Sequence, residues 1–275
     1  MGRAAERIES RENRWLKRFR AALSGNAQKG GALLGAEGPR LVGEALRSGL
    51  TAEALLVSDS GERHLPHLRD AIHPKLRILR TSDRLFASVA GTESPQGIAA
   101  LVEPPHWRPA DLLGAAALVV ALAGVQDPGN VGTIVRAAEA FGASGVIACS
   151  GSANPFGVKA VRASAGSAFR LPTLAGAQPA AMMEELRGRG LRQFCAVAAE
   201  GIPPTEAGLA QPCVLWIGSE GAGLPPEIER AADARIRIPV RAPVDSLNAA
   251  SAATVLLYEA ARQRGRMGPL AGGTQ

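Results

Sequence analysis

The sequence predicts an α/β protein with a small N-terminal α/β domain and a larger C-terminal domain built on a parallel sheet. Apolar runs of strand length alternate with helical patterns throughout the 275 residues, as in layered α/β folds. In the second half these runs are apolar at nearly every position, which is typical of parallel strands covered on both faces. A Pro-rich segment at 103–109 separates the halves, so we expect domains at 1–105 and 110–275.

The first domain is predicted to be a series of short elements. Apolar residues at 8, 15, 16 and 19 recur at helical spacing and predict a helix from Arg3 to about Leu23. A polar loop follows at 24–31, and Gly38-Pro39 is a sequence that opens a helix, here ending near 49. The rest of the pattern predicts strands at 54–57, 76–79 and 98–102, helices at 64–71 and 81–89, and a turn at 91–97.

The second domain alternates regularly between apolar strands and amphipathic helices. Strands are predicted near 117–123, 145–149, 193–198, 213–218 and 235–238, and helices near 131–141, 157–164, 179–188 and 247–264. Three loops follow strands directly, around Asp127, Gly218 and Pro239. Ligands of parallel sheets bind beyond the carboxyl ends of the strands, so we expect these loops to form one pocket at one edge of the sheet.

Composition restricts the classes of protein to which the chain can belong. With 46% hydrophobic residues it is globular rather than disordered, and no apolar run reaches the ~18 residues that span a bilayer. The N-terminus is dense in Arg and Glu and has no signal-peptide core. Cys149, Cys195 and Cys213 lie far apart in apolar stretches, so we expect reduced core thiols in a cytoplasmic protein, not disulfides or a zinc site.

The charge of the chain is basic and unevenly distributed. Lys and Arg number 31 against 25 Asp and Glu, and most of this excess lies in residues 1–109. An arginine-rich basic half is the usual electrostatic property of proteins that bind nucleic acid. Genomes rich in G and C also encode most cations as Arg, so the charge leaves nucleic-acid binding and simple compositional bias both open.

Candidate site residues begin in the first loop. Asn130 suits the N-cap of a helix that starts at Val131, and it is either only a cap or part of a site. Arg136 lies farther along that helix and is either a surface charge or a ligand for phosphate, which a guanidinium binds through two parallel hydrogen bonds. Glu220, in the second loop, is likewise either a surface residue or a polar anchor within the site.

The second loop is rich in glycine but does not match familiar phosphate-binding loops. Gly221 and Gly223 are followed by Leu-Pro-Pro, which excludes both the dinucleotide fingerprint and the P-loop. The third loop leads into the last helix, for which Asp245 or Ser246 is a suitable N-cap, with Asn248 in the first turn. The small-residue face of that helix is either core or a dimer contact.

The histidines also limit the chemistry. All four precede residue 110, so the parallel-sheet domain has no imidazole to act as a general base. It also has no cluster of metal ligands and no Ser-His-Asp set, and we expect no metal ion. Methyl transfer from a sulfonium suits such a site, because the cofactor supplies the activated electrophile and the protein positions the nucleophile.

At these three loops the sequence resembles the SpoU (TrmH-type) RNA 2′-O-ribose methyltransferases of the SPOUT superfamily. The matching motifs lie at 127–142, 217–224, 238–239, 246–248 and 257–259, and the segments 161–166 and 170–172 resemble the sequence between them. The N-terminal half resembles the family's RNA substrate-binding domain at 36–42 and 94–97. The resemblance implies a SPOUT catalytic domain with a deep trefoil knot, a homodimer, and S-adenosylmethionine as methyl donor.

The resemblance also implies roles for individual residues. The implied catalytic set is Asn130, Arg136, Glu220, Ser246 and Asn248, and the implied donor contacts are Ile217, Gly218, Ser219, Ile238, Pro239 and Leu247. We expect Arg136 to orient the ribose hydroxyl and stabilise its developing charge, because a guanidinium normally stays protonated. The chain departs from the family at Ala242, where Gly is common, so we expect a slightly different loop path there.

The predicted substrate is RNA. Ribosomal RNA, and 23S rRNA in particular, is favoured over tRNA because the chain carries a dedicated substrate-binding domain. Two alternative functions, from other classes of protein, remain open. A catalytically silent RNA-binding protein would not need the intact catalytic set, and a titration with the donor distinguishes it. A nucleotide-binding oxidoreductase would need the missing glycine fingerprint and would bind NAD.

Overall fold

The computed structural model describes residues 6–24 and 33–265 of the chain. The chain divides into two compact units, each formed by two stretches of sequence. The first unit comprises Met1–His106 and Phe156–Arg170, and the second comprises Trp107–Pro155 and Leu171–Gln275. The domain boundaries at 1–105 and 110–275 stay a prediction.

The strands and helices are short and alternate along most of the chain. The strands are β1 (Glu6–Ile8), β2 (Leu34–Glu37), β3 (Ala52–Ser58), β4 (Arg77–Thr81), β5 (Ile98–Val102), β6 (Leu118–Ala123), β7 (Gly145–Cys149), β8 (Thr173–Ala177), β9 (Arg192–Val197), β10 (Cys213–Gly218) and β11 (Ala234–Arg237). The helices are α1 (Arg14–Ser24), α2 (Pro39–Arg47), α3 (Leu65–Leu68), α4 (Asp83–Ala87), α5 (Pro128–Ala140), α6 (Val158–Ala163), α7 (Pro179–Gly188), α8 (Pro226–Ala231) and α9 (Ala249–Gln263). Short 3-10 helices lie at Ser60–His64, Arg69–Ala71, Pro109–Leu112, Ser167–Phe169 and Pro204–Glu206.

The sheet of the first unit is mixed, with the strand order β1-β4-β3-β5-β2. Strand β3 runs parallel to β4 and antiparallel to β5, and β5 also pairs antiparallel with β2. The strands predicted at 54–57, 76–79 and 98–102 are confirmed, whereas β2 was missed. The helix predicted at 64–71 is divided into α3 and short 3-10 turns on either side.

The helix predicted over residues 3–23 is wrong in its first half. Its early residues form β1, which pairs with β4 and buries Ile8. A separate helix follows, because the side-chain Oδ1 of Asn13 accepts a hydrogen bond from the backbone N–H of Trp15 at 2.8 Å. The helix predicted from this apolar spacing is therefore correct only over the residues of α1. Residues 3–5 and 25–31 of the predicted helix and polar loop lie outside the described residues.

The sheet of the second unit confirms the predicted parallel arrangement. Its six strands all run parallel in the order β11-β9-β10-β6-β7-β8. The chain moves outward from β6 through β7 to β8 and then returns to β9 on the other side. The order therefore reverses between the neighbours β6 and β10, and such a reversal opens a crevice at the carboxyl ends of the strands. Strand β8 and helix α8 were missed.

The centre of this sheet is rigidly packed. Trp216 on β10 is fully buried, and its indole N–H donates a hydrogen bond to Oε1 of Gln193 on β9 at 2.8 Å. The amide of Gln193 in turn donates to the carbonyl of Leu191 at 2.8 Å. The buried polar groups are thus paired, so β9 and β10 form a firm base for the loops at their ends. Within the described ranges, no helix is long and apolar enough to cross a bilayer.

The three cysteines are buried and unpaired, as expected from the sequence. Burial raises the pKa of Cys149 and of Cys195 to about 12, and it also raises the pKa of Cys213. Because the thiolate is the reactive form, we expect iodoacetamide at neutral pH to label none of the three thiols in the folded protein. After denaturation all three should react, as counted by mass spectrometry. A thiol that is labelled rapidly before unfolding would contradict this.

Candidate active site

The three loops that follow β6, β10 and β11 converge at one edge of the parallel sheet, as predicted. Their meeting point is the carboxylate of Glu220. Its Oε1 accepts hydrogen bonds from the side-chain amide of Asn130 at 2.6 Å and from the side-chain amide of Asn248. The backbone N–H of Ala249 also donates to it at 3.4 Å. The two amides are joined directly, since Nδ2 of Asn248 donates to Oδ1 of Asn130 at 3.2 Å.

The first helix cap differs from the one predicted. Asp127, not Asn130, caps α5, because its Oδ1 accepts the backbone N–H of Asn130 at 2.7 Å. Pro128 follows the cap in the first turn, where its missing N–H costs nothing. The side chain of Asn130 is therefore not used for capping and is available to Glu220.

The second helix cap also differs. Asn248 is itself the N-cap of α9, in place of Asp245 or Ser246. Its Oδ1 accepts the backbone N–H groups of Ala250 at 2.9 Å and of Ser251 at 3.3 Å. One amide thus fulfils two roles, because its oxygen starts the last helix while its nitrogen donates to Glu220.

The glycine-rich loop after β10 is a tight turn with a close backbone approach. The backbones of Ser219 and Gly223 exchange two hydrogen bonds of 3.0 Å each. A Cβ at Gly218 would lie 2.3 Å from the carbonyl carbon of Gly223, so no other residue fits there. By contrast, a Cβ at Gly221 would meet no atom within 4 Å, so the outer side of this turn is open backbone.

A first cavity, of about 490 Å³, lies beside this turn at the ends of β9, β10 and β11. Five of the six predicted donor contacts line it: Ile217, Gly218, Ser219, Ile238 and Leu247. Pro239 lies between the lining residues Ile238 and Val240 without lining the cavity itself. Ser246 also lines the first cavity and makes no hydrogen bond to any residue that the structure describes. Ala242 does not have the positive φ that a Gly there would favour.

Arg136 is not part of the hydrogen-bonded cluster. It is exposed on α5, and it forms no hydrogen bond or ion pair with the described part of the chain. It is six residues beyond Asn130, which corresponds to about 9 Å along the helix axis. Its guanidinium is therefore available to a ligand.

A second cavity, of about 660 Å³, was not predicted from the sequence. It lies at the ends of β6, β7 and β10, and its lining includes Gln126, Asp127, Asn130, Ser150 and Glu220. Gln126 and Ser150 each lie within three residues of the end of a predicted strand. This position at the carboxyl ends of the strands could have identified both as candidate site residues. Among the described residues, no group of three or more His, Cys, Asp or Glu is placed to hold a metal ion.

Comparison with known proteins relates this geometry to a family. Residues 117–258 match the model of the SpoU rRNA Methylase family, and residues 28–100 match the MRM3-like substrate binding domain. The chain is 32% identical over 222 residues to the 23S rRNA (guanosine(2553)-2′-O)-methyltransferase RlmP of Bacillus subtilis. That match covers 81% of this chain and 86% of the relative.

Two solved structures are similar over nearly the whole chain. The SpoU methyltransferase AviRb from Streptomyces viridochromogenes, solved in complex with AdoMet, has a TM-score of 0.82 and 28% identity, covering 92% of this chain and 98% of its own. An AdoMet-bound rRNA methyltransferase from Sinorhizobium meliloti has a TM-score of 0.82 and 29% identity, and the match covers 94% of this chain and 98% of its own. These neighbours confirm the predicted SPOUT fold class. The chain belongs to the SpoU rRNA methylase family.

Proposed function

We propose that this protein transfers the methyl group of S-adenosylmethionine to a ribose 2′-hydroxyl of 23S ribosomal RNA. The observation that carries this proposal is the Asn130–Glu220–Asn248 cluster beside the first cavity, in a member of the SpoU rRNA methylase family. The Bacillus subtilis relative, which is named for a 23S rRNA guanosine, supports the choice of RNA. Because ribosomal RNA is the substrate, we also place the protein in the cytoplasm.

The first cavity suits the methyl donor. Its volume of about 490 Å³ falls within the range of ~300–1,000 Å³ that is usual for small-molecule sites. Its lining from Ile217 to Ser219 is strand end and tight turn, so backbone N–H and C=O groups are available to a nucleoside. Ile238 and Leu247 supply apolar surface to the same lining. When bound, the donor supplies a methyl group that is already activated by the positive sulfur.

The protein residues then position the acceptor. The ribose hydroxyl attacks the methyl carbon in line with sulfur, so an O–C bond forms while the C–S bond breaks. Glu220 holds the amides of Asn130 and Asn248 in fixed positions, and Ser246 adds a hydroxyl at the rim of the first cavity. Arg136 stabilises the negative charge that develops on oxygen, and the hydroxyl proton is lost to water. Arg136 acts here by its charge and not as a base.

The activity is tested with purified protein, S-adenosylmethionine labelled in the methyl group, and 23S rRNA transcribed in vitro. We expect label in the RNA, and we expect the modified linkage to resist alkaline hydrolysis, because that hydrolysis requires a free 2′-hydroxyl. Label on a base, or no label in any RNA while the donor binds, would contradict the proposal. The second result would favour the catalytically silent RNA-binding alternative.

The homodimer is proposed on the exposed side of α9. Ser251, Val255, Tyr258 and Arg262 form one stripe there, with 40% of Val255 and 45% of Tyr258 exposed. Tyr258 also makes an edge contact with the ring of Phe141, at 5.9 Å between centroids. Large apolar side chains aligned on one helix face suit a second copy of the same chain, as the family resemblance implies.

Disruption of this stripe should therefore separate the subunits. We expect the wild-type protein to have twice the chain mass of 28.4 kDa by light scattering. Tyr258→Arg should shift it toward the monomer, because a charge would be buried without a partner at the interface. The control Ala181→Glu, at an exposed position of α7, should leave the mass unchanged. A wild-type monomer would refute the dimer.

We propose that the first unit holds the RNA through α2 and the segment 60–71. Arg40, Arg47, Arg63 and Arg69 are exposed there and form no ion pair with any described residue. The two elements adjoin, since a Cβ at Gly43 would lie 3.1 Å from the side chain of Leu68. Some other arginines of the unit are neutralised, as in the ion pairs Arg18–Glu53 (2.5 Å) and Arg80–Glu62 (2.7 Å). Unpaired cations are the ones that attract phosphate.

This surface predicts a difference in salt dependence. Replacing Arg40, Arg47, Arg63 and Arg69 with Gln should weaken binding to 23S rRNA and reduce the slope of log K against log salt by about 0.7–0.9 per lost phosphate contact. The matched control replaces the ion-paired Arg7, Arg18, Arg77 and Arg80 with Gln and removes the same charge. We expect the control to keep most of the slope. Equal slopes for the two variants would contradict the assignment.

A further inference from the structure

We propose that the second cavity binds the nucleotide that carries the acceptor hydroxyl, with its base and ribose inside and its phosphates outside. This inference rests on the proposed function and extends it to a second, separate substrate site. The second cavity is the 660 Å³ space lined by Gln126, Asp127, Asn130, Ser150 and the turn that follows β10.

The position of the second cavity in the sheet supports a ligand site. It lies between the ends of β6 and β10, where the strand order reverses. In open parallel sheets this crevice is the usual place for a ligand. The first cavity lies to one side of it, at the ends of β9, β10 and β11. The unit therefore offers two neighbouring sites, and methyl transfer requires two reactants.

The two cavities meet at one turn, and this arrangement suits an in-line reaction. The turn from Ser219 to Leu224 borders both cavities, and Glu220 lines both. In-line displacement requires the attacking oxygen and the departing sulfur to be on opposite sides of the methyl carbon. Because the two cavities meet at this turn, reactants bound in them can approach each other from different directions at Glu220. Asn130 lines only the second cavity, so its hydrogen bond to Glu220 holds that amide on the acceptor side.

The chemistry of the lining distinguishes a nucleoside from a phosphate. None of the residues that line the second cavity is Lys, Arg or His, and two of them, Asp127 and Glu220, are acidic. A phosphate would be repelled, whereas the N–H and O–H groups of a base and ribose would be accepted. Gln126 is exposed and makes no hydrogen bond to a described residue, so both its donors and its acceptor are available to a base edge.

Open backbone gives a planar ring room to approach. Gly124 has a φ of +84°, and a Cβ there would be 3.8 Å from the nearest atom, the Cβ of Ser219. A Cβ at Gly221, across the cavity, would meet nothing within 4 Å. Glycine at both positions leaves the backbone uncovered by side chains. The volume of the second cavity also falls within the range of ~300–1,000 Å³ that is usual for small-molecule sites.

Two bulky substitutions, one in each cavity, test the two sites independently. Ser150→Phe fills the second cavity and leaves the first untouched, and Ala252→Phe, at the start of α9, fills the first cavity only. Donor affinity is measured by calorimetry with S-adenosylmethionine. Nucleoside binding is measured by saturation-transfer NMR with the four ribonucleosides, in protein saturated with S-adenosylhomocysteine. The milder Gln126→Ala, at an exposed position, covers the case in which Ser150→Phe fails to fold.

We expect Ser150→Phe to bind the donor with a dissociation constant within twofold of wild type and to lose the nucleoside signals. Ala252→Phe should lose donor binding and keep the nucleoside signals, which for this variant are recorded without S-adenosylhomocysteine. Gln126→Ala should weaken nucleoside binding about tenfold, as for one lost hydrogen bond, without changing donor affinity. Nucleoside signals that persist in Ser150→Phe, or donor affinity that falls with Gln126→Ala, would overturn the assignment. These readouts need no methylation, so failure of 23S rRNA as a substrate would count against the proposed function alone.

Discussion

Alanine in place of Arg136 is expected to lower the single-turnover rate of methyl transfer by about 100- to 1,000-fold, as for loss of one donor to a developing oxyanion. The guanidinium is exposed on α5, has no partner among the described residues, and follows Asn130 by under two helical turns. It holds no other part of the protein, so its removal should leave the melting temperature and the donor affinity close to wild type. Quenched-flow transfer of a labelled methyl group to 23S rRNA measures the rate.

The matched control is Arg189→Ala. Arg189 is also an exposed arginine without a partner in the described residues, but it lies at the end of α7, where the chain returns to the amino edge of the sheet. It should keep the wild-type rate. Arg136→Lys retains a charge but not the forked donors, so an intermediate rate is expected. A normal rate in Arg136→Ala would eliminate the proposed charge stabilisation by this guanidinium.

The position of the three loops at one edge could be predicted, because it follows from the parallel direction of the strands. Near-continuous apolar runs identified the parallel strands, and loops after parallel strands share one edge. The caps could not be assigned in the same way. Asp127 and Asn130 are both good capping residues and lie three positions apart. The sequence pattern therefore does not determine which of them begins the first turn of α5. The structure places Asp127 at the cap, which is the reason that Asn130 reaches Glu220.

The missed elements are those with little apolar signal. Strand β8 lies at the edge of the sheet and buries mainly Thr173, so no apolar run identifies it. Helix α8 has six residues, too few for a periodic pattern, and it begins at the second of two prolines that indicated only a turn. Strand β1 is three residues long and adjoins a helix of strong periodicity. In each case tertiary pairing, and not local sequence, determines the structure.

Loss of the Glu220 carboxylate is expected to affect catalysis far more than stability. In Glu220→Ala the amides of Asn130 and Asn248 lose their shared acceptor, and the methyl-transfer rate should fall by about 100-fold because the acceptor side is no longer held in place. Glu220 is exposed, so water can replace the lost hydrogen bonds. The melting temperature should therefore fall by only about 2–4 °C, which calorimetry will measure.

Glu220→Gln separates the geometry of this cluster from its charge. The amide has the same shape, and its oxygen can still accept from Asn130 and Asn248, so the melting temperature should match wild type. If the role of Glu220 is positioning, the rate should recover to within about tenfold of wild type, since the acceptor remains although the charge-assisted hydrogen bonds become neutral. A rate as low as that of Glu220→Ala would show that the negative charge itself is required. In that case Glu220 would act on the reacting hydroxyl or on the positive sulfur, and the positioning role would be rejected.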